Sequence, residues 1–256
     1  MGGERIERLA GGDLSEVLLV RREGLAPVVA KSGSHVAAEA QMLRALAEAG
    51  VPVPAVEGEL GDILLIEHVA HDEAFTPRAW ADIGQAVRAM HAHRDEQYGW
   101  PVDHAFGTVH LDNRQRSDWP GFWGEQRLVA AASLVDRPLR ERVERLTMRI
   151  GDLLPASPAP ALLHGDLWTG NILVRDGQLA ALIDPACYHG DAEVDLAMLC
   201  LFGGPDEAFW EAYGPLDDEW GERRPLYQLF PALVHLRLFG PSYAGLVERL
   251  LDAAGA

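Results

Sequence analysis

The sequence predicts an α+β protein: a small β-sheet built around one helix, followed by a longer, mainly helical portion. Three observations predict it. β-branched and alternating apolar segments crowd into roughly the first seventy residues. From Thr76 onward the apolar residues recur instead at helical spacing. The chain has 256 residues, 48% hydrophobic and 24% charged, which is enough to bury a sizeable core and excludes a disordered protein.

Arg5 to Leu9, Val17 to Val20 and Pro27 to Lys31 read as strands, with Gly11-Gly12 breaking the first two apart. Ser34 is the expected N-cap of a helix from about His35 to Ala49, which Gly50 stops. Val51-Pro52-Val53-Pro54 blocks further helix. Ala55 to Glu57 and Ile63 to His68 follow as strands about a turn at Gly61-Asp62. Pro77 to His93 carries Trp80, Ile83, Val87 and Met90 at helical spacing. Asp95 to Trp119 reads as irregular, and Leu139 to Leu154 as helix again. A rigid connector, Pro155 to Pro160, precedes a short strand from Ala161 to Leu163. Ile172 to Val174 and Leu179 to Ile183 form a hairpin around Asp176-Gly177. Helices are expected over Glu193 to Phe202, Asp206 to Tyr213, Leu226 to Leu238 and Tyr243 to Ala253.

Lys plus Arg number 22 against 39 Asp plus Glu, a formal charge of −17. Such a chain repels nucleic acid and anionic membranes; it suits a cationic substrate, although solubility alone also explains it. Two cysteines, Cys187 and Cys200, cannot build a disulfide framework, so a cytoplasmic setting is expected. The start lacks the pattern of a signal peptide, Ile6 stands where a myristoylation site wants Ser or Thr, and apolar runs such as Leu128 to Val135 are too short to cross a bilayer.

Four features then fall in one order. Gly11-Gly12 lies between the first two strands, Lys31 ends the third, His164-Gly165-Asp166 follows a strand with Asn171 five residues after Asp166, and Asp184 closes the next hairpin. Phosphoryl transfer from a nucleotide needs each part. Glycines let backbone amides approach phosphates, and one fixed cation offsets their charge. A carboxylate accepts the hydrogen bond of the attacking hydroxyl. An Asn oxygen and a second carboxylate suit Mg²⁺, a hard cation that prefers oxygen. Alone, Gly11-Gly12 is an ordinary hairpin turn and Lys31 an ordinary snorkelling side chain. The spacing of Asp166, Asn171 and Asp184 is far more specific.

The run Leu162-Leu163-His164-Gly165-Asp166-Leu167-Trp168-Thr169-Gly170-Asn171 resembles the signature of the fructosamine (ketosamine) kinase family, a branch of the aminoglycoside-phosphotransferase-like, protein-kinase-like superfamily. Ile183 to Gly190, Glu193 to Met198, Tyr98-Gly99-Trp100-Pro101, the run from Asp118 to Leu128 and Val234 to Gly240 resemble the same family. The resemblance implies a two-lobe kinase fold, with residues 1–68 as a nucleotide-binding lobe and 69–256 carrying the catalytic loop, metal site and acceptor-binding helices.

Roles follow from the resemblance residue by residue. Asp166 is the implied catalytic base, and Asn171 and Asp184 are the implied Mg²⁺ ligands. Lys31, paired with Glu39, would touch the ATP phosphates beside Gly11 and Gly12; an exposed helix charge is the competing reading of Glu39. The backbone from Glu67 to Val69 is the implied adenine hinge, and Asp195 the implied brace of the catalytic loop. Trp168 offers a sugar ring a flat face and an amine a π face, with a core tryptophan as the alternative. His189 and Glu193 are further acceptor-pocket candidates. His91 and His93, two apart, make a poor metal pair on a helix. The implied activity is phosphorylation of a sugar hydroxyl on a free or protein-bound ketosamine, hence protein deglycation. An aminoglycoside or other small-molecule phosphotransferase and a catalytically inactive nucleotide-binding module are the alternatives. The sequence leaves the oligomeric state open.

Overall fold

In the computed structural model, residues 4–9 and 16–256 are described. They form two compact units. The first comprises the described part of Met1–Met90 together with Gly170–Ala186 and Asp206–Tyr213. The second comprises His91–Thr169, Cys187–Pro205 and Gly214–Ala256.

The first unit is built on an antiparallel sheet of β1 (Glu4–Arg8), β2 (Glu16–Arg22), β3 (Val28–Ser32), β4 (Val56–Leu60) and β5 (Ile63–Glu67), in the order β1-β2-β3-β5-β4. Strand periodicity puts Val29 and Lys31 of β3 on the same, buried face. That face packs with Leu19, Leu64 and Ile66 against Val36, Ala40 and Leu43 of helix α1 (Val36–Glu48). The α1 N-terminus departs from expectation. β3 runs on to Ser32 and the helix begins at Val36, so His35 rather than Ser34 takes the cap position, and its side chain makes no capping bond. The C-terminus behaves as expected. Gly50 adopts φ +77°, and the amides of Gly50 and Val51 donate to the carbonyls of Ala47 and Leu46, the paired closure of a Schellman motif.

Helix α2 (Pro77–Ala92) starts with Pro at its first position and Thr76 as its cap; Thr76 Oγ1 accepts from the Ala79 amide at 3.1 Å. The same hydroxyl donates to the Gly177 carbonyl at 2.8 Å, in the turn of the later hairpin.

In the second unit, His104–Phe106 (β6) and Val109–Leu111 (β7) pair within the stretch read as irregular. A helical run over 119–132 follows, π-helical across Phe122–Val129, which the sequence did not announce. Arg127 in this run is fully buried. Its guanidinium donates to the Asp112 carbonyl and to Asn113 Oδ1, and lies 4.4 Å from the Tyr188 ring centroid and 4.6 Å from that of Phe122. The expected single helix from Leu139 to Leu154 is two, Arg137–Thr147 and Ile150–Leu153. Strand β8 (Ala161–Leu163) pairs antiparallel with a short later strand, Tyr188–Gly190. The Trp220–Phe239 helix, which contains Pro225 and Pro231, and the Ala244–Ala253 helix complete the unit. Trp119, Phe122, Trp123 and Tyr227 form its fully buried aromatic centre.

The hairpin of β9 (Ile172–Arg175) and β10 (Gln178–Leu182) belongs to the first unit. Asp176 and Gly177 take φ of 51° and 70°, the mirror-image turn that matches strand twist. Tyr188–Gly190 is accordingly β11.

Candidate active site

Lys31, Glu39 and Asp184 gather within the first unit. Lys31 projects from β3 on its buried face and is 5% exposed. Its Nζ donates to Glu39 Oε1 on α1 and, at 2.5 Å, to Asp184 Oδ1 just past β10. Burial works against the ammonium, but the Glu39 and Asp184 carboxylates outweigh it and hold the Lys31 pKa above its ordinary value. At Glu39 burial prevails over Lys31, and its carboxyl is pushed up. One cation is shared by two acids, so the second carboxylate adds repulsion where the first gains attraction.

Asn171 and Asp184 lie at one end of the β9–β10 hairpin. Ile172 pairs with Leu182, and one step beyond, the Ile183 amide donates to the Asn171 carbonyl at 3.0 Å. The hairpin is tied into its unit by the Leu182 amide on the Pro52 carbonyl and the Asp72 amide on the Val174 carbonyl. Asp184 has φ +56°, left-handed, and precedes Pro185, where backbone prefers to be extended. Strain of this kind persists where surroundings over-determine it, and it clusters at functional positions. The Asp184 side chain stays 44% exposed while its Oδ1 holds Lys31.

The catalytic-loop candidates form a second arrangement, within the second unit. Asp195, fully buried on the Glu193–Leu199 helix, accepts the His164 amide at 2.7 Å through Oδ2 and the Gly165 amide at 3.0 Å through Oδ1. His91 Nε2 lies 3.2 Å from the same Oδ2. The Asp166 amide donates to His164 Nδ1 at 3.3 Å. His164-Gly165-Asp166 is thus fixed through its backbone, while the Asp166 residue itself keeps partial exposure.

Trp168 is half-buried, and its indole stands edge-on to Phe202 at 6.1 Å. His189 stacks on Trp100 at 5.5 Å, with Nδ1 3.8 Å from Asp95 Oδ2; burial keeps its pKa low. Glu193 is buried and gripped by Arg223, Nε to Oε2 at 2.8 Å and Nη2 to Oε1 at 2.6 Å. Arg223 also meets Asp217 and Glu219, so its charge is spread over three acids. In the candidate hinge, the Glu67 amide donates to the Ala55 carbonyl, and His71 Nδ1 lies 3.1 Å from the Val69 carbonyl. Gly11 and Gly12 lie outside the described residues.

His91 is what sequence reasoning missed. The sequence offers it only as a poor metal partner of His93, but it is buried against Asp195 while His93 is exposed. Its partner stands 104 residues away, so no local pattern could have found it.

Comparison with known proteins bears on the family and the fold. A family model described as fructosamine kinase matches residues 4–254. A Thermus thermophilus protein provisionally named a ketoamine kinase is 36% identical over 256 aligned residues, covering 96% of this chain and 92% of its own. The crystal structure of a Thermobifida fusca protein, provisionally named a fructosamine-3-kinase, superposes with a TM-score of 0.88 at 33% identity, covering 99% of this chain and 93% of that one. An amicoumacin kinase solved with AMP-PNP and Ca²⁺ shares the fold at 15% identity and a TM-score of 0.63, over 97% of this chain and 87% of its own. The fold is the protein-kinase-like α+β fold.

Proposed function

The chain belongs to the fructosamine kinase family, and from that premise we propose that it is an ATP-dependent kinase that phosphorylates a sugar hydroxyl, on the third carbon of a fructosamine or ribulosamine. The observation that carries this reading is the shared ion pair of Lys31 with Glu39 and Asp184, a buried cation held beside a partly exposed carboxylate, which is the pairing that nucleotide phosphates and their metal would need. Residues 1–68 are assigned to nucleotide binding, with Lys31, Gly11 and Gly12 at the phosphates, Glu39 orienting Lys31, and the Glu67 to Val69 backbone at adenine. Residues 69–256 carry the rest.

Asn171 and Asp184 are assigned to Mg²⁺, and their chemistry fits. Among the described residues no three His, Cys, Asp or Glu side chains gather into a ready-made cage. Two oxygen donors, with phosphate and water completing the shell, are what Mg²⁺ accepts. When bound, it neutralises charge developing on the phosphate oxygens.

Asp166 acts as base. Its carboxylate orients the sugar hydroxyl and takes the proton as the sugar oxygen bonds to the γ-phosphorus. The bond from that phosphorus to the ADP oxygen breaks, and ADP leaves. Asp195 and His91 keep the loop still, so positioning does most of the work. Trp168 and His189 line the acceptor side, and Glu193 joins them through the Arg223 it holds. The 3-phosphate promotes later loss of the sugar, which makes protein deglycation in the cytoplasm the implied role. No described helix is long and apolar enough to cross a membrane.

An ADP-release assay with Mg²⁺-ATP tests the reading. Turnover is expected on fructosyl-lysine and ribulosyl-lysine. Turnover on aminoglycosides alone would move the protein to the other acceptor class, and ATP binding without turnover on any acceptor would make it an inactive nucleotide-binding module.

A further inference from the structure

A row of rings continues from Trp168 across the second unit. Phe202, edge-on to Trp168, lies 4.8 Å from His235 between ring centroids. His235 meets Phe239 at 5.3 Å and Tyr243 at 5.2 Å, and those two lie 6.2 Å from each other. The rings come from separate pieces of chain: the segment after the Glu193–Leu199 helix, the end of the Trp220–Phe239 helix, and the turn Pro241–Tyr243. Phe202 is 38% exposed and Phe239 44%. Single exposed apolar residues are ordinary, but this row is contiguous and begins two residues after the proposed base, which makes it a candidate contact surface for substrate.

The row also has a polar centre. His235 Nδ1 donates to the Pro231 carbonyl at 2.8 Å, which sets the tautomer and leaves Nε2 as an acceptor. The four rings add π faces without a positive charge of their own, in a chain of formal charge −17.

We propose that this row is the amine-side subsite of the acceptor. The sugar of the ketosamine sits at Trp168, and the substituent on its amine nitrogen lies along Phe202, His235, Phe239 and Tyr243. The occupant that fits is an aryl or long alkyl group, as an amino-acid side chain or an aromatic amine supplies. Its protonated nitrogen finds π faces and the His235 acceptor. The proposal rests on the ketosamine kinase reading and adds what that reading lacks, namely which part of the substrate sets specificity.

The test compares fructosyl-phenethylamine with fructosyl-glycine, which share a sugar and differ only in the amine's substituent. The wild-type protein is expected to favour the phenethyl compound by about tenfold in kcat/KM, the order of one or two aromatic contacts. Phe202→Ala and Phe239→Ala should erase most of that ratio through KM, with kcat for the phenethyl compound held. Phe239→Tyr should retain it, and so should Met148→Ala, on a side chain 81% exposed elsewhere. Equal kcat/KM for the two compounds in the wild type, or a ratio that survives both alanine variants, overturns the inference while leaving the kinase reading intact. Phosphorylation of neither compound, nor of fructosyl-lysine, overturns that reading and the inference with it.

Discussion

The two units solve one problem, holding a charged group still, in opposite ways. Around Lys31 the first unit uses charge against charge: one ammonium between two carboxylates, one of them partly open to solvent. Around Asp195 the second unit uses a buried carboxylate against backbone amides, with His91 beside it. An ion pair can exchange partners when phosphate arrives, because phosphate competes for the same cation. Backbone amides cannot be exchanged without unfolding the loop. On the proposed assignment, the difference would suit a unit that takes up and releases a nucleotide and a unit whose base is held in place.

Substitutions can break this contrast, and on the proposed mechanism the largest effect belongs at Asp166. Asp166→Asn should lower kcat by about 10²- to 10⁴-fold, the usual worth of general-base catalysis, with nucleotide affinity by titration nearly unchanged. Wild-type turnover in this variant would remove Asp166 from the role of base. Lys31→Met comes next. It should raise KM for ATP by about ten- to a hundredfold, the worth of one charge-assisted hydrogen bond, and an unmoved KM would place the phosphates elsewhere. Asp195→Ala tests the other unit. It strands the His164 and Gly165 amides in a buried site, so urea unfolding should show a loss of about 2–4 kcal/mol, with turnover falling more than ATP affinity. If Asp195→Ala instead behaved like Lys31→Met, the contrast would fail.

The smallest effect is one of pH. Burial lowers the pKa of both His189 and His235 from an ordinary value of 6.5. As pH falls through about 6.5 the unfolded chain takes up protons that the folded chain refuses, so stability is present above that pH and is lost below it. Urea midpoints at pH 5.5 should therefore lie below those at 7.5. The gap should narrow in a His189→Gln, His235→Gln double variant, and an unchanged gap would assign the acid sensitivity to other groups.

Legibility followed the range of the interactions. The five-stranded sheet, α1 with its glycine stop and the Asp176-Gly177 hairpin were readable because periodicity and turn chemistry are local. Ser34 failed as a cap because β3 extends one residue further than its composition suggests. The helical run at 119–132 hid behind Pro120, Gly121 and Gly124, and behind an Arg127 whose burial depends on rings distant in sequence. β11 is three residues long and exists because β8 is there to pair with it. The spacing of Asp166, Asn171 and Asp184 offered a candidate site from sequence alone; that Lys31 reaches Asp184, 153 residues away, was not legible.

The left-handed backbone at Asp184 constrains how that carboxylate can be dissected. Asparagine tolerates the same conformation and keeps an oxygen at the same reach, so Asp184→Asn reports on charge alone. Alanine would confound lost chemistry with a peptide that relaxes away from Pro185, and glutamate would add a methylene with nothing to offset the bend. Rates measured on alanine at this position would therefore overstate what the carboxylate contributes.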